Sequence, residues 1–148
     1  MTRIRGVADT ADQLATTWAH DAGRPARSLQ EFIWFFDLVT QNGSLKGLTH
    51  HDAAAFIAAQ GAGKADDVAC NWLAAAPANW WGRPDCLKNA GIWRNAVPAA
   101  ALELFVLSYL RSGLSTARAQ GVVMNRKGTL AMHKGWVNGA LFDFTGQY

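Results

Sequence analysis

The sequence predicts an all-α fold, one compact multi-helix domain spanning residues 1–148. Three observations carry that prediction. Apolar residues recur at three- and four-residue spacing between Gly and Pro stops. Two helix-start signals, Ser28-Leu-Gln-Glu31 and Thr49 with Asp52, stand directly before such segments. No stretch keeps the two-residue alternation of a strand for more than a few residues, and no linker or internal repeat divides the chain. Roughly six to eight helices fit this length.

The first helix is expected over Val7–Asp21, with Leu14 and Trp18 one turn apart, and Gly23 and Pro25 ending it. Ser28 and Glu31 form a capping box for the second, which stops at Asn42-Gly43. A third, Ala-rich helix starts at Thr49 and runs through Ala59 to Gly61 and Gly63. Lys64–Ala76 reads as a fourth, with Val68, Trp72 and Ala75 or Ala76 on one side, closed by Pro77. Asn79-Trp80-Trp81-Gly82-Arg83-Pro84 is a loop, and Asp85–Ala90 a short helix. Pro98 suits the first turn of a helix over Ala99–Arg111. That segment is apolar on nearly every side, so it is the expected buried centre. Gly113 stops it. Ser115 caps a last helix reaching about Lys134, with Gly121 and Gly128 as weak points. Gly135, Gly139 and Gly146 predict an irregular tail.

Composition is globular: 148 residues, 50% apolar and 17% charged. No apolar run reaches the ~18 residues of a membrane span, and the N-terminus lacks the apolar stretch of a secretion signal. Fourteen Lys and Arg against eleven Asp and Glu give +3. The basic residues are scattered, with one local group at Arg126, Lys127 and Lys134, which reads as a solvated face or an anion contact. There is no basic stripe for nucleic acid. Cys70 and Cys86 lack metal-ligand spacing and read as buried thiols or a single bridge. His50 and His51 point about 100° apart on a helix, so they do not converge on one ion. No metal or cofactor is implied. A nucleophile elbow, a P-loop and a dinucleotide fingerprint are all missing.

The second helix carries the most informative pattern. At about 100° per residue, Leu29, Phe32, Ile33, Phe36 and Val39 form a stripe expected to face the core. Gln30, Trp34, Asp37 and Gln41 form a second stripe, extended by Asn42, while Glu31 points elsewhere. One indole, one carboxylate and amides suit a sugar, whose C–H face stacks on indole and whose hydroxyls pair with planar polar groups. The plainer reading is a boundary face. Trp80 and Trp81 read as core anchors for their loop or as an exposed stacking platform. Trp18, Trp72, Trp93 and Trp136 belong to packing. Glu103, within the apolar helix, is either a carboxyl raised by burial into a general acid or the partner of an Arg such as Arg94 or Arg118.

Phe36-Asp37-Leu-Val-Thr-Gln41-Asn42-Gly43-Ser44 resembles a helix-end motif of lysozyme-superfamily and chitosanase-like glycan hydrolases. The tail is similar to that family's closing pattern, with Val123-Met-Asn-Arg126-Lys127-Gly-Thr-Leu-Ala, Gly135-Trp-Val-Asn138-Gly139, and Phe142-Asp143 before Tyr148. Asn138 stands where His is more usual. The resemblance implies a lysozyme-like helical lobe that binds or hydrolyses cell-wall glycan such as peptidoglycan. Asp37 and Glu103 are then the candidate catalytic carboxylates. Gln30, Trp34, Gln41, Asn42, Trp80 and Trp81 are the candidate sugar contacts.

One departure matters. In such hydrolases the general-acid Glu lies early, and no Glu precedes Glu31 here. The resemblance therefore implies a C-terminal part whose N-terminal catalytic segment would be a partner, or a relative that binds without cleaving, or a transfer of the acid role to Glu31, Asp37 or Glu103. Glu31 and Asp37 point some 120° apart on one helix and do not flank one bond. A cell-wall substrate without a signal peptide suggests phage lysis or a contact-delivered effector. The competing expectation is a non-enzymatic phage or bacterial inhibitor or adaptor, with Trp80, Trp81 and Arg83 anchoring a protein partner.

Overall fold

Local chemistry sets most helix ends in the computed structural model, which describes residues 2–61 and 63–147. Helix α1 (Thr2–Asp21) starts five residues before the expected Val7. Before α2 (Leu29–Gln41), the Ser28 hydroxyl accepts the Glu31 N–H at 3.1 Å and the Glu31 carboxylate accepts the Ser28 N–H at 2.8 Å. That reciprocal pair satisfies two donors otherwise left open at a helix start. Gly43, at φ 86°, turns the chain away and donates its N–H to the Leu38 carbonyl. Helix α3 (His50–Gln60) begins where the Asp52 carboxylate accepts the Thr49 N–H at 2.8 Å.

Helix α4 (Ala65–Ala74) matches its expected span closely. Helix α5 (Arg83–Trp93) is longer than the expected Asp85–Ala90, because Pro84 fits its first turn and the helix continues until Trp93 is seated. A 3-10 turn (Ala99–Ala101) leads into α6 (Leu102–Gly113), and another (Ala117–Ala119) into α7 (Gln120–Met132). The domain is compact and mostly helical.

The tail departs from expectation. Helix α7 ends at Met132, and the chain then folds into an antiparallel hairpin, β1 (Lys134–Val137) with β2 (Ala140–Asp143). Trp136 faces Leu141 and Val137 faces Ala140 across it. Asn138 and Gly139 form the two-residue turn, both with positive φ, at 52° and 80°. Asn-Gly is the pairing that tolerates this turn. The terminal Tyr148 of the family-like motif lies outside the described residues.

Helix α2 buries another face more deeply than the expected core stripe, of which Phe32, Phe36 and Val39 pack partly buried at the edge of the core. Trp34, Phe35 and Leu38 are fully buried, Glu31 and Asp37 are buried beside them, and Leu29 is 55% exposed. The helix is apolar around most of its circumference, so its periodicity selects no face. The neighbours do: α1 and α7 pack against it, and Trp34 reaches Ser108 on α6 with an indole N–H hydrogen bond of 2.9 Å. Helix α6 is the expected centre, with Leu104, Phe105, Val106 and Leu107 all buried.

Gly121 and Gly128 are contact points of α7 and not its weak points. A Cβ on Gly121 would meet the Cys86 sulfur at 2.6 Å, and one on Gly128 would enter the Trp93 ring. Gly135 sits equally tightly against Thr129 and Trp93. The missing side chains let α5, α7 and β1 close on one indole, whose N–H donates to the Lys134 carbonyl at 2.7 Å. Cys70 and Cys86 are free thiols, both buried; burial pushes Cys70 up to about 11 and raises Cys86 as well. No helix among the described residues is long and apolar enough to cross a membrane.

Candidate functional site

Two adjoining clefts, of about 360 and 350 Å³, share Trp81, Val122, Val137 and Asn138 and form one groove. Helix α7 gives its floor, through Val122, Val123 and Arg126. The hairpin turn at Asn138 gives one wall, the Trp81-Gly82 loop another, and Gln41 and Asn42 at the end of α2 close one end. A hollow of about 140 Å³ adjoins at Arg126 and Val137, with Asp37, Phe142 and Phe144 around it.

A buried amide network holds these walls in place. Asn89 donates to the Asn125 side-chain oxygen and to the Trp136 carbonyl, each at 2.9 Å, and accepts the Trp136 N–H at 2.7 Å. Asn125 also donates to the Gly82 carbonyl at 3.2 Å. One pair of amides thus ties α5, α7, β1 and the Trp81 loop together. The buried Asp85 carboxylate accepts the Gly139 N–H at 2.9 Å and fixes the hairpin turn. At the far end, the buried Arg111 guanidinium donates to the Ser44 carbonyl at 2.7 Å and the Asn42 carbonyl at 3.3 Å. Its burial lowers the guanidinium pKa, and the carbonyls satisfy its donors.

Beneath the groove lies an ion triad. Arg126 hydrogen-bonds through Nε to one Asp37 oxygen, and Lys127 Nζ donates to the other at 2.8 Å. Lys127 is wholly buried, its ammonium 5.2 Å from the centre of the Trp34 ring. Burial pushes the amine below its ordinary value, and Asp37 opposes that shift. Asp37 therefore compensates a buried cation and holds Arg126 at the groove, with that side chain 43% exposed.

Gln41, Asn42 and Trp81 come together along this groove, and Asp37 lines the hollow that adjoins it at Arg126. Trp81 is 59% exposed beside it, its backbone N–H held by the Arg118 carbonyl at 3.0 Å. Among the described residues, the side-chain amides of Gln41, Asn42 and Asn138 have no hydrogen-bond partner. They are free to meet a ligand.

The other candidates lie elsewhere. Trp34 is core, and Trp80 is buried edge-on against Trp72 at 4.9 Å. Gln30 donates to the Leu130 and Ala131 carbonyls, closing the end of α7. Arg83 donates to the Ala76 carbonyl. Glu103 pairs with His50 at 2.7 Å, and with neither Arg94 nor Arg118. It lines a second cleft of about 290 Å³ that also holds Trp18, Arg24, Gln30 and Glu31. Asp37 and Glu103 thus line different clefts. In the second one, burial raises the Glu31 carboxyl, but hydrogen bonds from Arg24 and Ser28 outweigh it and hold the group below its ordinary value.

Sequence reasoning did not single out Asn89, Asn125 or Arg111, which build the groove together with Asp85, and did not place Arg126 or Asn138 in it. The Asn138-Gly139 dipeptide carried the signal for the hairpin, and Arg126 stood inside the quoted tail motif. Among the described residues, no group of His, Cys, Asp and Glu could hold a metal ion. No family model matches the chain, and neither the curated proteins nor the solved structures contain a significant match to it.

Proposed function

We propose that this chain is a glycan-binding domain of cell-wall type, and that the groove along α7 is where the saccharide lies. The observation that supports it is the convergence of one exposed indole with three unpartnered amides along a groove whose walls are hydrogen-bonded in place. Trp81 offers a face for sugar C–H groups, and Gln41, Asn42 and Asn138 offer planar donors and acceptors for hydroxyls. Fixed walls lower the ordering cost of binding. The resemblance at Phe36–Ser44 and in the tail points the same way.

Binding is favoured over cleavage by this groove. Glycosidic cleavage uses two carboxyl groups flanking one bond. Asp37 is occupied by Arg126 and Lys127, Asp85 by the hairpin turn, and Glu103 is in the other cleft. The competing protein-interface reading keeps only one of its three anchors exposed, Trp81.

The test is a titration of the chain with chitotetraose and with purified peptidoglycan fragments, followed by tryptophan fluorescence and calorimetry. Binding lost at least tenfold in Trp81→Ala, with the melting temperature unchanged, is the expected result. Binding of neither ligand by the wild-type chain rejects the proposal.

A further inference from the structure

Arg126 stands at the Gln41–Asn42 end of the groove, and the ion triad it forms with Asp37 and Lys127 carries one positive charge in surplus. We propose that the saccharide the groove takes is acidic, and that Arg126 receives a sugar carboxylate. This inference rests on the glycan-binding reading and specifies its substrate class.

Four features carry it. A guanidinium has five N–H donors. Only Nε of Arg126 is engaged, by Asp37, and its four Nη donors have no hydrogen-bond partner among the described residues. The remaining edge is a planar fork, the shape that pairs with a carboxylate through two parallel hydrogen bonds. Second, Asp37 fixes this fork without cancelling its charge. One carboxylate against the two cations Arg126 and Lys127 leaves one positive charge in surplus.

Third, no carboxylate lines the cleft that Arg126 shares with Gln41, Asn42, Trp81 and Asn138, and Asp37 approaches Arg126 from the adjoining hollow, on its Nε side. Asp85 lines the adjoining cleft and is buried against the Gly139 N–H. Fourth, the free amides of Gln41, Asn42 and Asn138 line the same cleft, positioned for the hydroxyls of a ring whose acid group meets Arg126.

The experiment uses three probes on the full chain at low ionic strength: a β-1,4-linked glucuronate tetramer, its methyl ester, and chitotetraose. The acid and its ester share the sugar backbone and differ at the carboxyl group, which the ester caps with a methyl and leaves uncharged. The expected result is that the acid binds about tenfold tighter than the ester, with the difference shrinking as salt is added. Arg126→Gln should remove the difference, and Arg126→Lys should retain part of it. Equal binding of acid and ester by the wild-type chain overturns the inference, and this comparison needs no variant to fold. If chitotetraose binds in a Trp81-dependent way while the acid has no advantage, the acidic-ligand inference fails and the glycan-binding reading stands. If none of the three binds, both fall.

Discussion

The two polar clefts differ in what their side chains are doing. In the cleft between α1, α2 and α6, the polar groups are joined to each other or to backbone. Glu31 meets Arg24 and Ser28, Glu103 meets His50, and Gln30 meets two α7 carbonyls. Along α7, the groups that satisfy one another lie beneath the groove or in its walls, and those on its surface are open. The same residue types thus serve two ends. Joined, they fix one helix against another; open and held from behind, they can meet a ligand. An exposed amide is unremarkable alone, but three amides on walls fixed by Asn89, Asn125 and Arg111 are preorganised.

This contrast has measurable consequences, the largest beneath the groove. Asp37→Ala leaves Lys127 buried with no counter-charge, and breaking such a pair costs about 3–5 kcal/mol. Urea denaturation should show that loss. Asp37→Ala together with Lys127→Met should recover much of it, since the buried cation is then gone as well. A loss below about 1 kcal/mol in the single variant would show that Lys127 finds water or another partner.

The walls come next. Gly128→Ala drives a methyl group into the Trp93 ring, and overpacking of this kind costs about 1–3 kcal/mol. Trp93 joins α5, α7 and β1, so glycan binding should weaken together with the thermal midpoint. Unchanged stability would mean that the hairpin seats itself independently of Trp93.

How much of this was legible beforehand follows from the same physics. The Ser28/Glu31 box, the Gly43 stop and the apolar α6 were readable because each depends on neighbours in sequence. The face of α2 was not. A helix with apolar residues on most sides leaves the choice to its partners, and those partners buried Trp34 and exposed Leu29. The hairpin was signalled by Asn138-Gly139 but masked by strands of only four residues each. In the site, Gln41, Asn42 and Trp81 could be named from their chemistry. Arg126 and Asn138 join them only through the contact of α7 with the hairpin, which no local pattern encodes. Glycines read as helix breakers proved to be contact points for the same reason: their role is set by Trp93 and Cys86, distant in sequence.

A smaller effect distinguishes the second cleft by pH. Glu31 has its folded carboxyl held below the ordinary value near 4.5. Its ion pair therefore adds stability that is complete above that value and is lost as pH falls through the lower, folded one. Because Arg24 is partly exposed, the contribution is about 1 kcal/mol. Glu31→Gln should lower the urea midpoint at pH 7 and converge on the wild type near pH 2. A gap that stays constant across that range would assign the loss to the cap geometry and not to the charge.

The smallest stability effect belongs to the groove surface. Gln41→Ala and Asn42→Ala remove side chains with no hydrogen-bond partner among the described residues, so each should shift stability by no more than about 0.5 kcal/mol. The backbone carbonyl of Asn42, which Arg111 holds, is unaffected by the change. Chitotetraose affinity should nevertheless fall several-fold in each, because a hydrogen bond to a bound hydroxyl contributes about 0.5–1.5 kcal/mol. Stability kept and affinity lost is the signature of a group held in readiness for a ligand. Stability lost with affinity kept would place these amides with Gln30 and Glu31, among the residues that hold the helices together.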